Sequence, residues 1–300
     1  MLEAGIKPVF VFDGKAPTMK SGELAKRKER QKAAEEELAR LQREGGSAED
    51  IERQEKRTVR ASREQSEEVK QLLTLMGVPV LDAPCEAEAT CAALAKAGVV
   101  HGTGTEDADA LTFGTPYLIR HLNVAESRKL PIVEVNLQAA LTGLGLSMEQ
   151  FVDLCILCGC DYTDSIKGIG PVRALKLIQD HGSIEGMLKT LDKSKYPLPE
   201  PFPFEEARTL FMQPDVIDPS SVELKWGEPD ADGLRKYLID EKQFNEDRVN
   251  KAIERLQKCK GKNSQVRLDS FFKRLPSDSS FAKKVQPKVL GKQKGKAAAG

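Results

Sequence analysis

The chain lacks any apolar run approaching the roughly 20 residues that a bilayer-spanning helix needs, and its first residues, Met1-Leu2-Glu3-Ala4-Gly5, lack the basic and apolar regions of a secretory leader. Both absences point to a soluble, intracellular protein without a membrane partner. Histidine is scarce, with only His101, His121 and His181, and none falls inside a motif. The six cysteines (85, 91, 155, 158, 160 and 259) form no regular framework, which excludes a disulfide scaffold and reads as reduced thiols. Cys155-Ile156-Leu157-Cys158, with Cys160 nearby, has zinc-like spacing but no second ligand pair. These cysteines are expected to be small residues packing a buried helix.

What is present suits a globular enzyme. Three hundred residues with 40% hydrophobic content are enough for a substantial core. The formal charge is zero, yet residues 251–300 hold 14 Lys or Arg against 3 Asp or Glu, so that stretch carries +11 and residues 1–250 carry −11. An acidic body is unusual for a nucleic-acid binder unless its carboxylates gather around cations.

Along the chain, the apolar run Lys7 to Gly14 has the pattern of a strand buried on both faces of a parallel sheet. From Lys20 to about Lys70, Lys, Arg, Glu, Gln and Ala dominate, broken at Gly45-Gly46, which predicts two long helices joined by a turn. A strand over Val78–Leu81, a helix over Glu86–Lys96 stopped by Gly98, and a strand near Val99–Thr105 follow. The alternation points to an α/β fold with a parallel sheet and flanking helices. Helices are expected over Ser147–Cys158 with Ser147 as N-cap, over Val172–Asp180, from Ser183, over 204–212 and over 231–258. After Lys258 the chain is too poor in apolar residues to fold alone and is expected to be disordered.

The informative residues are acids placed where strands end: Asp13, then Glu86 and Glu88, then Asp107 and Asp109. Ligands of open α/β sheets bind outside the carboxyl ends of the strands, so these five converge. The i, i+2 spacing of both pairs predicts extended backbone or the first residues of a helix, where two such side chains can point the same way. Gathered carboxylates repel unless a cation neutralises them, and an all-oxygen donor set selects hard ions such as Mg²⁺, with Mn²⁺ as substitute. Two such ions suit phosphodiester hydrolysis, although spacing alone leaves calcium binding or a ribonuclease open. Asp82 reads as a turn or cap residue.

Val11-Phe12-Asp13-Gly14-Lys15, Glu86-Ala87-Glu88-Ala89, Thr105-Glu106-Asp107-Ala108-Asp109 and Gly159-Cys160-Asp161-Tyr162 together resemble the successive metal-site motifs of the flap endonuclease family, in order and over residues 1 to about 275. The resemblance implies a PIN-like 5′ nuclease core over residues 1–257, with a protruding helical arch at about 18–70 and a helix-hairpin-helix variant at about 155–190. It implies Asp13, Glu86, Glu88, Asp107, Asp109 and Asp161 as ligands of two Mg²⁺ ions. It also places Glu86, Gly159 and Asp161 against DNA. Lys20 and Arg27 match arch residues that face the scissile phosphate, and seven residues, nearly two helical turns, put them on one face. The implied reaction is cleavage of branched DNA at the base of a 5′ flap, with 5′–3′ exonuclease activity, in replication and long-patch base excision repair. The implied location is the nucleus, with nucleolus and mitochondrion as further sites, and the implied state is a monomer.

Gly168-Ile169-Gly170-Pro171-Val172-Arg173 resembles the hairpin of that variant. Glycines there let backbone amides approach a phosphate, which makes Gly168, Gly170 and Arg173 candidate DNA contacts. In the tail, 258–300, the stretch 265–272 is similar to the peptide that docks on the ring-shaped sliding clamp of replication. Gln265 opens it, and Leu268, Phe271 and Phe272 at i, i+3 and i+4 share one helical face. Family members carry an additional N-terminal segment with a strand and a further aspartate. The expectation is therefore a core with six of seven acids, a sheet one strand short, and as an alternative a catalytically impaired form that binds DNA and clamp.

Overall fold

The computed structural model of the protein describes residues 1–124 and 130–259. The tail peptide with Gln265, Leu268, Phe271 and Phe272 lies outside the described residues. Strand β1 (Phe10–Phe12) pairs in parallel with β2 (Val80–Asp82), Phe12 opposite Asp82. A second sheet has the order β3 (Thr103–Gly104), β4 (Tyr117–Arg120), β5 (Val133–Asn136), with β3 and β4 parallel and β4 and β5 antiparallel. The α/β class holds, but the expected single parallel sheet is two small sheets, one of them mixed. β1 is half-buried, not buried on both faces, because among the described residues it has a neighbour only in β2.

Between β1 and β2 the chain forms α1 (Ser21–Glu44), α2 (Ala48–Thr58) and α3 (Arg63–Leu75), three helices where the charge pattern suggested two. Gly45, with φ 73°, ends α1, and Ser47 accepts the Asp50 N–H to start α2. The additional break at 59–62 has a local cause. Ser62 accepts the Gln65 N–H at 3.2 Å and the Gln65 side chain accepts the Ser62 N–H at 2.9 Å, a capping box that starts a new helix. The α1–α2 pair buries little beyond Ala34 and Gln54, as a charged arch should.

The α4 helix (Ala87–Lys96) follows β2, and α5 (Asp109–Thr112) follows β3. The main core then forms around α7 (Met148–Cys158), whose Phe151, Val152, Leu154, Ile156 and Leu157 are buried. Against it pack α8 (Pro171–His181), α9 (Ile184–Thr190) and α10 (Phe204–Met212), with Ile178, Ile184, Met187 and Phe211 as their buried contributions. Cys155 and Cys160 belong to this packing, as expected despite their zinc-like spacing, whereas Cys158 at the end of α7 is exposed. The helix α6 (Leu137–Leu144), capped by Asn136 on the Ala139 N–H at 2.8 Å, carries two further core leucines. The predicted 231–258 helix is interrupted: α11 (Ala231–Arg235) runs into a π-helical turn at Lys236–Glu241, and α12 (Glu246–Cys259) restarts after it. Leu234, Val249 and Ile253 from these elements close a small second core against Leu72, Leu75 and Met76 of the α3 end.

Candidate metal centre

The acids sit where the chain leaves β1, β2 and β3. After Asp13 the backbone turns at Gly14, where a Cβ would collide with the carbonyl oxygens of Ala83 and Pro84, so only glycine lets the two strand ends come this close. That approach puts Asp13 Oδ1 2.9 Å from the Ala87 N–H, where it accepts a bond at the start of α4. Glu86 is the extended residue preceding α4 and Glu88 lies in its first turn, as the i, i+2 argument expects. Ligand oxygens of Asp13, Glu86 and Glu88 all lie within 4.8 Å of one another. This is the sole such group of His, Cys, Asp or Glu among the described residues, so the Cys155–Cys158–Cys160 run forms no zinc site there.

Asp107, Asp109 and Asp161 stand outside this tight trio and are joined to it electrostatically. Burial first, then the charges of Asp13, Asp107 and Glu86, raises the Glu88 carboxyl. Asp109 is pushed up to about 6 by burial and then by Asp107, Asp161 and Glu88. The Asp109 N–H bonds Asp107 Oδ1 at 3.0 Å, and Thr105 accepts the Asp107 N–H at 3.1 Å, which holds the loop after β3 in shape. Asp161 is fixed from behind by its neighbour Tyr162, buried with its ring 5.0 Å from that of Phe211.

Two cations of the arch reach into the acids. Lys20, just before α1, donates to Glu86 at 2.7 Å and lies 3.2 Å from Asp161. Its burial opposes charge, but the two carboxylates prevail and raise its pKa. Arg27 places Nη2 2.9 and 2.8 Å from the two Asp161 oxygens. Lys20 and Arg27 thus share a target in Asp161, although Lys20 precedes α1 and the two do not lie on one continuous α-helix. Lys26, the residue before Arg27, pairs with Asp164, a contact that sequence reasoning missed because the partners are far apart in the chain. Asp82 does not cap α4; it ends β2 paired with Lys70 at 2.5 Å.

Gly159 ends α7 with φ 112°, a conformation L side chains rarely adopt, and leads directly to Asp161. Beyond it, Gly168 (φ 85°) and Gly170 are exposed on either side of buried Ile169, and Gly170 begins α8 with Pro171 in its first turn. Arg173 is exposed and folds back on the hairpin, donating to the Gly168 carbonyl with its guanidinium over the Tyr196 ring, centroid distance 5.2 Å.

An acid-lined centre at strand ends, met by two arch cations and followed by a glycine hairpin, defines an α/β nuclease core. The XPG N-terminal domain profile matches residues 1–34 and the XPG I-region profile residues 77–161. The chain belongs to the flap endonuclease 1 family. It is 54% identical to flap endonuclease 1 of Xenopus tropicalis over 299 residues, covering 99% of this chain and 78% of the relative. Against flap endonuclease 1 of Homo sapiens it is 53% identical, over all of this chain and 78% of the relative. Among solved structures it is similar to flap endonuclease-1 from Methanococcus jannaschii (29% identity, TM-score 0.65, 88% of this chain and 79% of that one). It is also similar to the catalytic core of Rad2 in complex with DNA substrate (26% identity, TM-score 0.66, 86% and 80%).

Proposed function

We propose that this chain is a metal-dependent, structure-specific DNA nuclease that hydrolyses a phosphodiester at the base of a 5′ flap. The observation that carries the reading is the charge imbalance at the site: six converging acids are met by two arch cations, and Asp109 is pushed up to about 6. Such a set is completed by hard divalent cations, and Asp13, Glu86, Glu88, Asp107, Asp109 and Asp161 would hold two Mg²⁺, or Mn²⁺ in their place. Bound there, such ions would supply Lewis-acid chemistry, activating a water and stabilising the leaving oxygen.

The protein's own residues supply the rest. Lys20 and Arg27, which both reach Asp161, are placed to meet the phosphate beside the scissile bond. The exposed amides around Gly168 and Gly170 and the N-terminus of α8 suit the phosphates of the duplex next to the flap, contacts that read the backbone and not its sequence. Arg173 joins them by leaving Tyr196. Relatives named flap endonuclease 1 support flap cleavage, and family membership supports a place in replication and long-patch base excision repair, in the nucleus and as a monomer. We infer the replication sliding clamp as partner of Gln265, Leu268, Phe271 and Phe272 from the tail sequence.

The test is cleavage of a labelled 5′-flap duplex by the full chain with Mg²⁺, with chelator, and by Asp161→Ala. Cutting that needs the metal and drops at least about a hundredfold in the variant is the expected result. A folded chain that binds the flap duplex without cutting it would reduce the reading to a DNA-binding protein.

A further inference from the structure

The loop that carries Asp107 and Asp109 is tethered by the residue between its threonine and its first aspartate. Thr105, which ends the β3 side, gives its N–H to the Ile119 carbonyl at 3.2 Å, and Glu106 then turns its side chain away from the acids toward the end of β4. There Glu106 Oε1 accepts the His121 N–H at 2.6 Å and Oε2 accepts Arg120 Nη2 at 3.2 Å. His121 has φ 64°, a left-handed conformation uncommon outside glycine, and its ring Nδ1 is 2.9 Å from the Pro131 carbonyl oxygen. The backbone N–H that Glu106 engages is therefore presented by a turn with a defined, unusual shape. Against this 2.6 Å bond, the loop's other side-chain link to a neighbouring element, Thr105 to Glu88, is long at 3.5 Å.

The tether has work to do, because Asp107 and Asp109 both face the like charge of Glu88, and Asp109 also that of Asp161. A loop bearing repelling carboxylates swings outward unless something on its other side holds it, and Glu106 is the residue whose side chain does so. We propose that Glu106 is a positioning residue for the metal centre: it touches neither substrate nor cation, and through the His121 backbone it holds Asp107 and Asp109 in their converging arrangement. The inference rests on reading the acid array as a divalent-cation site. Partners behind a metal ligand typically contribute about 10- to 100-fold to affinity, which sets the expected scale.

Mn²⁺ binding to the full chain, followed by calorimetry beside thermal melting, tests it with three variants. Glu106→Ala removes both bonds and is expected to weaken Mn²⁺ binding about tenfold or more. Glu106→Gln keeps a carbonyl acceptor for the His121 N–H and loses only the exposed charge pair, so it is expected to stay within about fivefold of the parent. Glu106→Asp keeps the charge but falls a methylene short of His121, and it is expected to resemble alanine; it carries the comparison with Gln if the alanine variant does not fold. Retention of binding by Gln and its loss in Asp supports a hydrogen-bond tether, because charge alone predicts the opposite order. Equal Mn²⁺ affinity in parent and Glu106→Ala, or in Asp and Gln, overturns the role of Glu106. A parent chain that binds no Mn²⁺ overturns instead the metal-site reading on which it stands.

Discussion

Two regions of this molecule bury carboxylates, and they handle the charge in opposite ways. At the junction of α7, α9 and α10, Asp153 is almost fully buried, yet one guanidinium serves it and its neighbour together. Arg208 donates to Asp153 at 2.7 and 2.9 Å and to Glu185 at 2.7 and 3.0 Å, and the Ile184 N–H adds a further bond to Asp153 at 3.0 Å. Burial still raises the Asp153 carboxyl and Arg208 pulls it down, whereas Glu185, nearer solvent, is held at about 2 chiefly by its bond from Arg208. At the acid array the lysine and arginine come from the arch, partly exposed, and Asp109 and Glu88 are pushed upward. The first region is a closed structural joint. The second leaves like charge uncompensated within the chain, and under the proposed function a cation and a phosphate would meet that cost.

The comparison can be broken most forcefully at the joint. Arg208→Ala leaves Asp153 buried with one backbone donor, and the expected loss is about 3–5 kcal/mol in chemical denaturation. A loss below about 1 kcal/mol would show that the joint is as loosely compensated as the array.

At the array the sign reverses. Asp109, raised to about 6, binds its proton more tightly in the folded chain than in the unfolded one. Its penalty is therefore fully present above about pH 6 and is relieved as pH falls toward the unfolded value of roughly 4. Asp109→Asn should raise the stability of the metal-free chain at pH 7.5 by up to about 2 kcal/mol, with the gain fading by about pH 4. The same substitution should weaken Mn²⁺ binding, so one variant separates stability from function. A destabilised Asp109→Asn at pH 7.5 would mean that burial and repulsion of the charged form do not cost the folded chain stability at this position.

The smallest expected effect is at Glu185. Its depressed carboxyl contributes stability that is present above roughly pH 4 and is lost as the pH falls toward about 2. With its side chain 40% exposed, solvent screens that contribution. Melting temperatures of the parent should fall between pH 4 and pH 2, and the fall should be shallower in Glu185→Gln. Parallel curves would place the acid sensitivity elsewhere.

Much of the candidate site was legible in the chain because its acids follow strands. A strand ending in Asp13, a helix starting after Glu86 and a loop carrying Asp107 and Asp109 are local patterns, and local patterns survive without knowledge of the partners. The four-residue β4 and β5 were missed because such short runs carry too little periodicity, although Asn136 before α6 was a readable cap. The arch was divided once too few because Ser62 and Gln65 sit inside a charged tract where their capping box is easily passed over. Lys26 with Asp164, Glu106 with His121, and Arg208 with Asp153 pair residues 138, 15 and 55 positions apart, and no periodicity announces such partners.

The sequence by itself pointed to the class of fold and, from residue type at short range, to five acids at strand ends; Asp161, Lys20, Arg27 and the glycine hairpin were singled out by the family resemblance. The tertiary structure decided which acids form the tight trio, that Lys20 and Arg27 share Asp161, and that Glu106 pairs with the end of β4 instead of the other acids. Those outcomes depend on which strand ends are brought together and on the sum of burial and charge there, quantities that do not exist until the chain has folded.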